Sequence, residues 1–362
     1  MRLEEGLLSI FPPPVFMAMP ASGIDISQGT VKTVVLRTSG SATELASYME
    51  TPVPEGAVVN GDIEEPEKII DILRSLRLRL GIHYASVSLS ERKAYLYQTI
   101  VPGAPKDLRS AVESGLEEHV PLPPGEAVFD YEVVRRVEAG TILSVTVYAR
   151  RIVETYQRMF ESAGILLRSL EVESQALARS TLSQSDRSAT VMIIDFGRRT
   201  TRVAIAENGV VVFTATLDIG GDALTSAVMK LFNVPEPEAE KIKNEKGFLM
   251  NKENKDLVEA LMTTVSVVKD EVAKHLAYWN NPAVDDLPRK SVSKVIICGG
   301  NANLRGFPEY LEGAVGLPVA VANVWGKAFS LDTYVPAMPF HVSLEYATAI
   351  GLAERGSPKE SW

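Results

Sequence analysis

Short apolar, β-prone runs separated by polar residues over 23–27, 31–37 and 44–50 predict three strands joined by short turns. The pattern then changes. Ile69, Ile72/Leu73, Leu76 and Leu80 recur on one face of a helix over 66–80, with Pro66 in its first turn. Arg74, Arg77 and Arg79 lie toward the negative end of its dipole, and Gly81 stops it. A strand over 84–90 completes a β-β-β-α-β unit. Residues 92–167 differ in texture: strands at 93–100, 128–137 and 141–149 alternate with helices at 105–119 and 151–163, the second stopped by Gly164. The run Pro121-Leu-Pro-Pro is a break. This stretch reads as a small α+β insert.

A strand over 165–171 leads into a helix over 173–182, and the polar linker 183–188 follows. Strands at 190–195, 201–207 and 210–218 then precede a helix with Asp222 as its N-cap. Residues 236–280 read as helical and charged, with Leu257, Leu261, Val265, Val268, Val272 and Leu276 at helical spacing. Strand 293–298, a glycine turn, a helix to about 314, strand 318–322 and a last helix near 343–355 finish the pattern. Both halves have a βαβ-like organisation, so the pattern predicts two α/β lobes.

The halves share more than a pattern. GIDISQGTVKTVVL (23–36) and IIDFGRRTTRVAI (193–205) align on Asp25 and Asp195: an apolar pair, Asp, an apolar and a small residue, a polar turn, Thr, a basic residue and an apolar strand. A turn between antiparallel strands exposes backbone N–H groups, and Ser27, Gly29 and Gly197 would let phosphate oxygens approach them. The hydroxyls of Thr30, Thr200 and Thr201 could donate to the same oxygens, and Lys32 could reach in as a point charge. Asp25 and Asp195 could hold water around Mg²⁺. One such turn is ordinary in a hairpin; its repetition points to a phosphate site.

Two further segments run from strand through Gly-Gly into helix. In IICGGNANLRGFPEYL (296–311), Gly299 and Gly300 would let a flat ring lie on the backbone. In LDIGGDALT (217–225), Gly220 and Gly221 open a helix whose N-terminus favours anions. Each is also compatible with a plain structural turn.

Composition narrows the classes. Of 362 residues 46% are apolar and 23% charged, as in ordinary globular chains, and length suggests two domains or one bilobed molecule. A net charge of −9 argues against non-specific nucleic-acid binding. One cysteine, Cys298, allows no internal disulfide and suits a reducing compartment. No apolar run is long enough to span a membrane. LLSIFPPPVFMAMPAS near the start is interrupted by three prolines and preceded by Glu4 and Glu5, so it reads as a packed arm and not as a signal peptide. His83, His119, His275 and His341 are scattered, without metal-ligand spacing.

In their order the four glycine and aspartate segments resemble the nucleotide site of the actin, sugar-kinase and chaperone ATPase superfamily. The resemblance implies a two-lobed actin-like ATPase fold of duplicated ribonuclease H-like lobes, binding ATP with Mg²⁺. Asp25 to Lys32 matches the first phosphate turn, Asp195 to Thr201 the second, and Gly299 to Leu304, with Asn303, the adenosine loop. LEVESQALARS (170–180) matches the hinge and places Glu173 at a helix start facing the cleft, where relatives position water or Mg²⁺. EAEKIK (238–243) resembles a helix whose Glu240 and Lys243 touch ribose and adenine; a surface Glu/Lys helix is the other reading.

A closer resemblance is to the PilM family of type IV pilus assembly proteins, itself similar to FtsA. It rests on FPPP-x-F-x-A-M-P-A, LEVESQALAR and GGNANLRGFPEYLEGAVGLPVAVANVW, and covers about residues 11 to 355. It implies an N-terminal arm (1–20), a first lobe (21–187) with its insert (92–167), a second lobe (188–342) with a helical subdomain (233–289), a terminal helix (343–355) returning to the first lobe, and a tail (356–362). It also implies a cytoplasmic nucleotide-binding platform, held at the inner membrane by the cytoplasmic N-terminal tail of PilN and contacting other pilus components. Ser27 where many relatives have Gly, and Arg198-Arg199 where small residues are frequent, bear on hydrolysis more than on binding; weak or absent ATPase activity is the expectation. SPKESW at the end offers no basic amphipathic anchor of the FtsA kind. A sugar-kinase-like phosphotransferase would need a general base near its acceptor, and no Asp/His/Asn cluster stands out; an FtsA- or MreB-like filament former is the other alternative.

Overall fold

A computed structural model describes residues 22–39, 42–103, 107–249, 254–281 and 287–355. The expected arm and tail lie outside the described residues. The first sheet is built from β1 (Ser22–Ile26), β2 (Thr30–Ser39), β3 (Ala42–Pro52), β6 (Tyr84–Leu89) and β10 (Leu166–Val172). The second is built from β11 (Thr190–Phe196), β12 (Thr201–Glu207), β13 (Val210–Leu217), β14 (Lys294–Cys298) and β15 (Val319–Val321). Their orders correspond, β3-β2-β1-β6-β10 and β13-β12-β11-β14-β15, each with an antiparallel meander followed by two parallel strands. The register repeats as well. Asp25 faces Lys32 as Asp195 faces Arg202, and the meander slips between Val35 and Leu36 as it does between Ile205 and Ala206.

Between β3 and β6 lie a short hairpin, β4 (Val58–Val59) and β5 (Asp62–Ile63), which the pattern did not predict, and α1 (Pro66–Leu80). Gly81 closes α1 at φ 67°, its N–H donating to the Arg77 carbonyl. The insert holds β7 (Ala94–Pro102), α2 (Leu108–His119), β8 (Ala127–Val137) and β9 (Gly140–Ala149), in sheet order β7-β9-β8. Asp107 caps α2 by accepting from the Arg109 and Ser110 amides, which sets its start later than the pattern suggested.

The next helix, α3 (Arg150–Ser162), was expected within the insert. Instead Ile152, Tyr156, Met159 and Phe160 pack with α1 residues Ile69, Leu73 and Leu76 under the first sheet. The insert has its own core of Val112, Leu116, Leu143, Val145 and Val147. Periodicity shows that a helix has an apolar face but not which core receives it.

After β10 comes α4 (Glu173–Thr181), which packs on β13 of the second sheet. The second lobe continues with α5 (Gly221–Phe232), α6 (Glu236–Lys246), α7 (Lys255–Asn280) and α8 (Phe307–Val315). The long helical stretch is thus two described helices, α6 ending at Gly247 with φ 57°. The six residues picked out by spacing on α7 are all buried in the main core. Short α9 (Phe340–Ser343) leads to α10 (Ala347–Glu354), which packs on β1, β2 and β6. So α4 leaves the first sheet for the second, α10 makes the return journey, and the two helices cross at the junction of the lobes.

Candidate functional site

The two hairpin turns face each other across the junction. Their backbones match: Ser27 N–H donates to Thr30 O at 2.9 Å, and Gly197 N–H to Thr200 O at 3.0 Å. Among the described residues the amides of Gln28, Gly29, Arg198 and Arg199 meet no protein acceptor. Nothing but Arg199 comes within 4 Å of a Cβ built on Gly29, and the Arg199 guanidinium carbon lies 3.9 Å from it. The second turn therefore reaches over the first with a cation.

Several predicted donors are engaged elsewhere. The Ser27 hydroxyl turns back onto Thr30 O at 2.9 Å and accepts from the Thr30 amide at 3.2 Å. Thr201 is fully buried, and its hydroxyl donates to Ile219 O at 2.7 Å. Lys32 donates to Glu345 O at 3.1 Å, pairs with Glu345 Oε2 at 3.5 Å and lies over the Tyr346 ring. Asp222 does not cap α5. The carbonyls of Gly197 and Arg198 do so, accepting from the amides of Gly221 and Asp222 at 3.0 and 2.8 Å. The Asp222 carboxylate instead takes Arg198 Nε at 2.8 Å. Protein carbonyls thus already occupy the helix start on which an anion was expected, and they tie Gly220–Gly221 to the second turn.

Glycine is required here by close approach. A Cβ on Gly299, whose φ is 85°, would sit 2.4 Å from Asp195 Oδ1; one on Gly221 would sit 2.5 Å from Asn301 Nδ2. Buried Asn301 donates to Phe196 O at 3.2 Å and Gly197 O at 2.8 Å, joining the expected adenosine loop to the second turn. A Cβ on Gly300 would come within 3.1 Å of the Glu345 carboxylate. Asn303 donates to His341 O at 2.9 Å, whereas Leu304 is buried in the main core and presents no side chain to the site. On α6, Lys243 is only 3% exposed and donates to Thr225 Oγ1 at 3.0 Å and Glu240 Oε1 at 2.9 Å. Thr225 Oγ1 also lies 3.0 Å from Gly221 O, which brings Glu240 and Lys243 to the same loops. Burial alone would raise the Glu240 carboxyl, but the Thr225 hydroxyl and the Lys243 ammonium hold it below the usual range.

The floor of the cleft is acidic and buried. Asp25 Oδ1 accepts from Ser88 Oγ at 2.6 Å. Glu173, the first residue of α4, receives the Glu91 amide at 3.3 Å, and Glu91 Oε1 in turn accepts from the Ser174 amide at 2.9 Å. Into this group comes Arg202. Its Nη1 lies 2.5 Å from Glu173 Oε1, and its Nη2 and Nε lie 2.7 and 3.1 Å from Asp195 Oδ2. Burial opposes the charge of Arg202, but the carboxylates of Glu173, Asp195, Asp25 and Glu91 outweigh it, so the guanidinium is held well above its usual pKa. Burial, helped by the neighbouring Glu173 charge, pushes the Glu91 carboxyl up to about 7. Among the described residues no group of three or more His, Cys, Asp and Glu is disposed to hold a metal ion.

Three of these residues escaped the sequence reading. Arg202 had a signal: it is the basic residue of the second repeat and aligns with Lys32. Asn301 also had one, as a polar residue inside a glycine turn. Glu91 had none, because it reaches the site only through the packing of the insert's root against α4. A separate cavity of about 800 Å³ opens at the far end of α4, lined by Ala178, Arg179, Asp186, Lys294 and Ala322 among others.

Comparison with known families separates the possibilities. The profile of the type IV pilus assembly protein PilM matches residues 23–357. The chain belongs to the PilM family. A chain of the PilM–PilN type IV pilus biogenesis complex shares its fold with this PilM-family chain at a TM-score of 0.74 and 22% identity, over 94% of this chain and 99% of that one. The ethanolamine utilization protein EutJ of Carboxydothermus hydrogenoformans follows at 0.53 and 18%, over 95% and 90%. MreB5 of Spiroplasma citri bound to ADP gives 0.52 and 15%, over 85% and 93%. The fold is the two-lobed actin-like ATPase fold. The cell division protein FtsA of Streptococcus pneumoniae is 25% identical over 183 residues, 47% of this chain and 40% of FtsA. FtsA of Neisseria meningitidis serogroup B is 24% identical over 230 residues, 60% and 54%. The chain spans about half the length of these curated relatives. Among the described residues no helix is long and apolar enough to cross a membrane.

Proposed function

We propose that the protein is a nucleotide-binding platform of a type IV pilus assembly or related secretion system, which receives the cytoplasmic N-terminal tail of PilN and links cytoplasmic components to the inner-membrane complex. The observation that carries this reading is the pair of register-matched turns, whose open amides and Gly29 face one cleft with Arg199 between them. An ATP phosphate chain would bring negative charge to this cleft. Gln28, Gly29, Arg198 and Arg199 would meet it with backbone N–H groups, Arg199 with its guanidinium, and Lys32 after leaving Glu345. Gly299–Gly300, Asn303, Glu240 and Lys243 would border the nucleoside.

Turnover is expected to be slow or absent. Phosphoryl transfer relies on positioning, and Glu173, the candidate for orienting water, is bound on both carboxylate oxygens by Arg202 and the Glu91 amide. The MreB5 structures with ADP and AMPPNP support nucleotide binding, and the PilM–PilN complex supports the partner. The peptide groove is proposed between the first lobe and its insert, whose root is tied to α4 through Glu91. Calorimetric titration with ATP, then with a peptide of the PilN tail, tests the reading. Binding of both, with either affinity changed by the other ligand, is the expected result; binding of neither would refute it.

A further inference from the structure

The acids of the cleft converge on a cation that the chain itself supplies. Asp25, Glu91, Glu173 and Asp195 are each no more than 7% exposed, so four carboxyl groups are gathered out of solvent in one cleft. Arg202 spends three of its five N–H donors on two of these carboxylates, with its side chain 17% exposed. A planar guanidinium bridging carboxylates from α4 and β11 does what a divalent ion does between acidic ligands: it neutralises them and fixes their separation. Mg²⁺ binds small oxygen ligands and keeps most of its waters. Here it would have to displace a half-buried, multiply bonded arginine or sit beside it, cation against cation. The equivalent residue of the first repeat, Lys32, points away to Glu345, so Arg202 alone of the two hairpin cations serves the acids.

We propose that the Arg202 guanidinium is the resident cation of this site, standing in for a divalent metal, so that nucleotide is bound without one. The ligand in this proposal rests on the nucleotide reading above; the replacement of a metal rests on the Arg202 geometry. With two N–H donors uncommitted, Arg202 can also offer a phosphate oxygen a charged hydrogen bond while keeping its carboxylates.

Two measurements on the full chain separate the claims. The first needs no nucleotide: Mn²⁺ is titrated into the protein and followed by electron paramagnetic resonance. The wild type should show no Mn²⁺ site that depends on Glu173. Arg202→Ala should gain one ion, which Glu173→Gln in that background removes. Should Arg202→Ala fold poorly, Mn²⁺ should raise its melting temperature but leave that of the wild type unchanged. Arg202→Lys keeps a charge and should stay silent; Mn²⁺ uptake by this variant as by the alanine variant would overturn the proposal. So would a wild-type Mn²⁺ site abolished by Glu173→Gln. The second measurement is binding of a fluorescent ATP analogue in EDTA and in Mg²⁺. The wild-type affinity should agree within about threefold between the buffers, whereas Arg202→Ala should lose about tenfold or more in EDTA and recover with Mg²⁺. A wild-type loss of about tenfold in EDTA refutes metal-free binding. No binding in either buffer refutes the nucleotide reading itself and leaves the Mn²⁺ result to decide the role of Arg202.

Discussion

Gly351 of α10 lies so close to Ala176 of α4 that a Cβ built on it would sit 1.9 Å from the Ala176 carbonyl oxygen. The same helix meets β1 as closely at Gly23, where a Cβ would fall 1.9 Å from Ala349 O. Arg179 of α4 adds a hydrogen bond to Gly351 O at 2.9 Å while pairing with Glu171. Glycine thus sets the spacing of the helices that join the lobes. Gly351→Ala must push α10 off α4, and overpacking of this kind costs about 1–3 kcal/mol or more. Urea unfolding should show the loss; unchanged stability would mean that the crossing has slack.

Lys32→Ala tests whether Lys32 changes partner. Its pair with Glu345 is partly exposed, so its loss should change folding stability by no more than about 1 kcal/mol. Nucleotide binding should weaken by about 1.5–3 kcal/mol if the ammonium moves to phosphate in the complex. Equal calorimetric affinities for variant and wild type would leave Lys32 as a clasp on Glu345.

Gly300→Val places two methyl groups where the Glu345 carboxylate already comes within 3.1 Å of a Cβ. The variant should fold, with Glu345 displaced, and should bind ATP at least about tenfold more weakly. Circular dichroism checks the first expectation and titration the second. A folded variant with normal affinity would move the nucleoside away from this loop.

Stability should depend on pH through Glu91. Its carboxyl is raised from 4.5 to about 7 by burial and by the charge of Glu173. Between those values the folded state keeps a proton that the unfolded chain has lost, so stability is greatest at the acid end of the window and falls as pH rises through it. The slope from this group is at most about 1.4 kcal/mol per pH unit. Glu91→Gln keeps an acceptor for the Ser174 amide and should flatten the profile. Denaturant unfolding from about pH 5 to pH 8 reads both curves; parallel curves would assign the dependence to another group.

The sequence by itself determined the local structure and its duplication. The Asp–turn–Thr–basic pattern returns at the same spacing in both halves, and because a hairpin's register follows from its turn, equal spacing places Asp25 opposite Lys32 as it places Asp195 opposite Arg202. Gly81 and Gly164 marked their helix ends because each takes up the left-handed backbone that its turn demands. Only the tertiary structure decided which partner each charge takes. Lys32 and Arg202 hold equivalent places in their hairpins, yet one turns to Glu345 at the α9–α10 junction and the other to Glu173 at the start of α4. It also decided that carbonyls of the second turn, not Asp222, cap α5, that α3 serves the first lobe's core, and that Glu91 enters the cleft. These outcomes join residues far apart in the chain. They follow from how the lobes pack: a buried charge takes whichever opposite charge the packing brings within reach, and no local pattern encodes that choice.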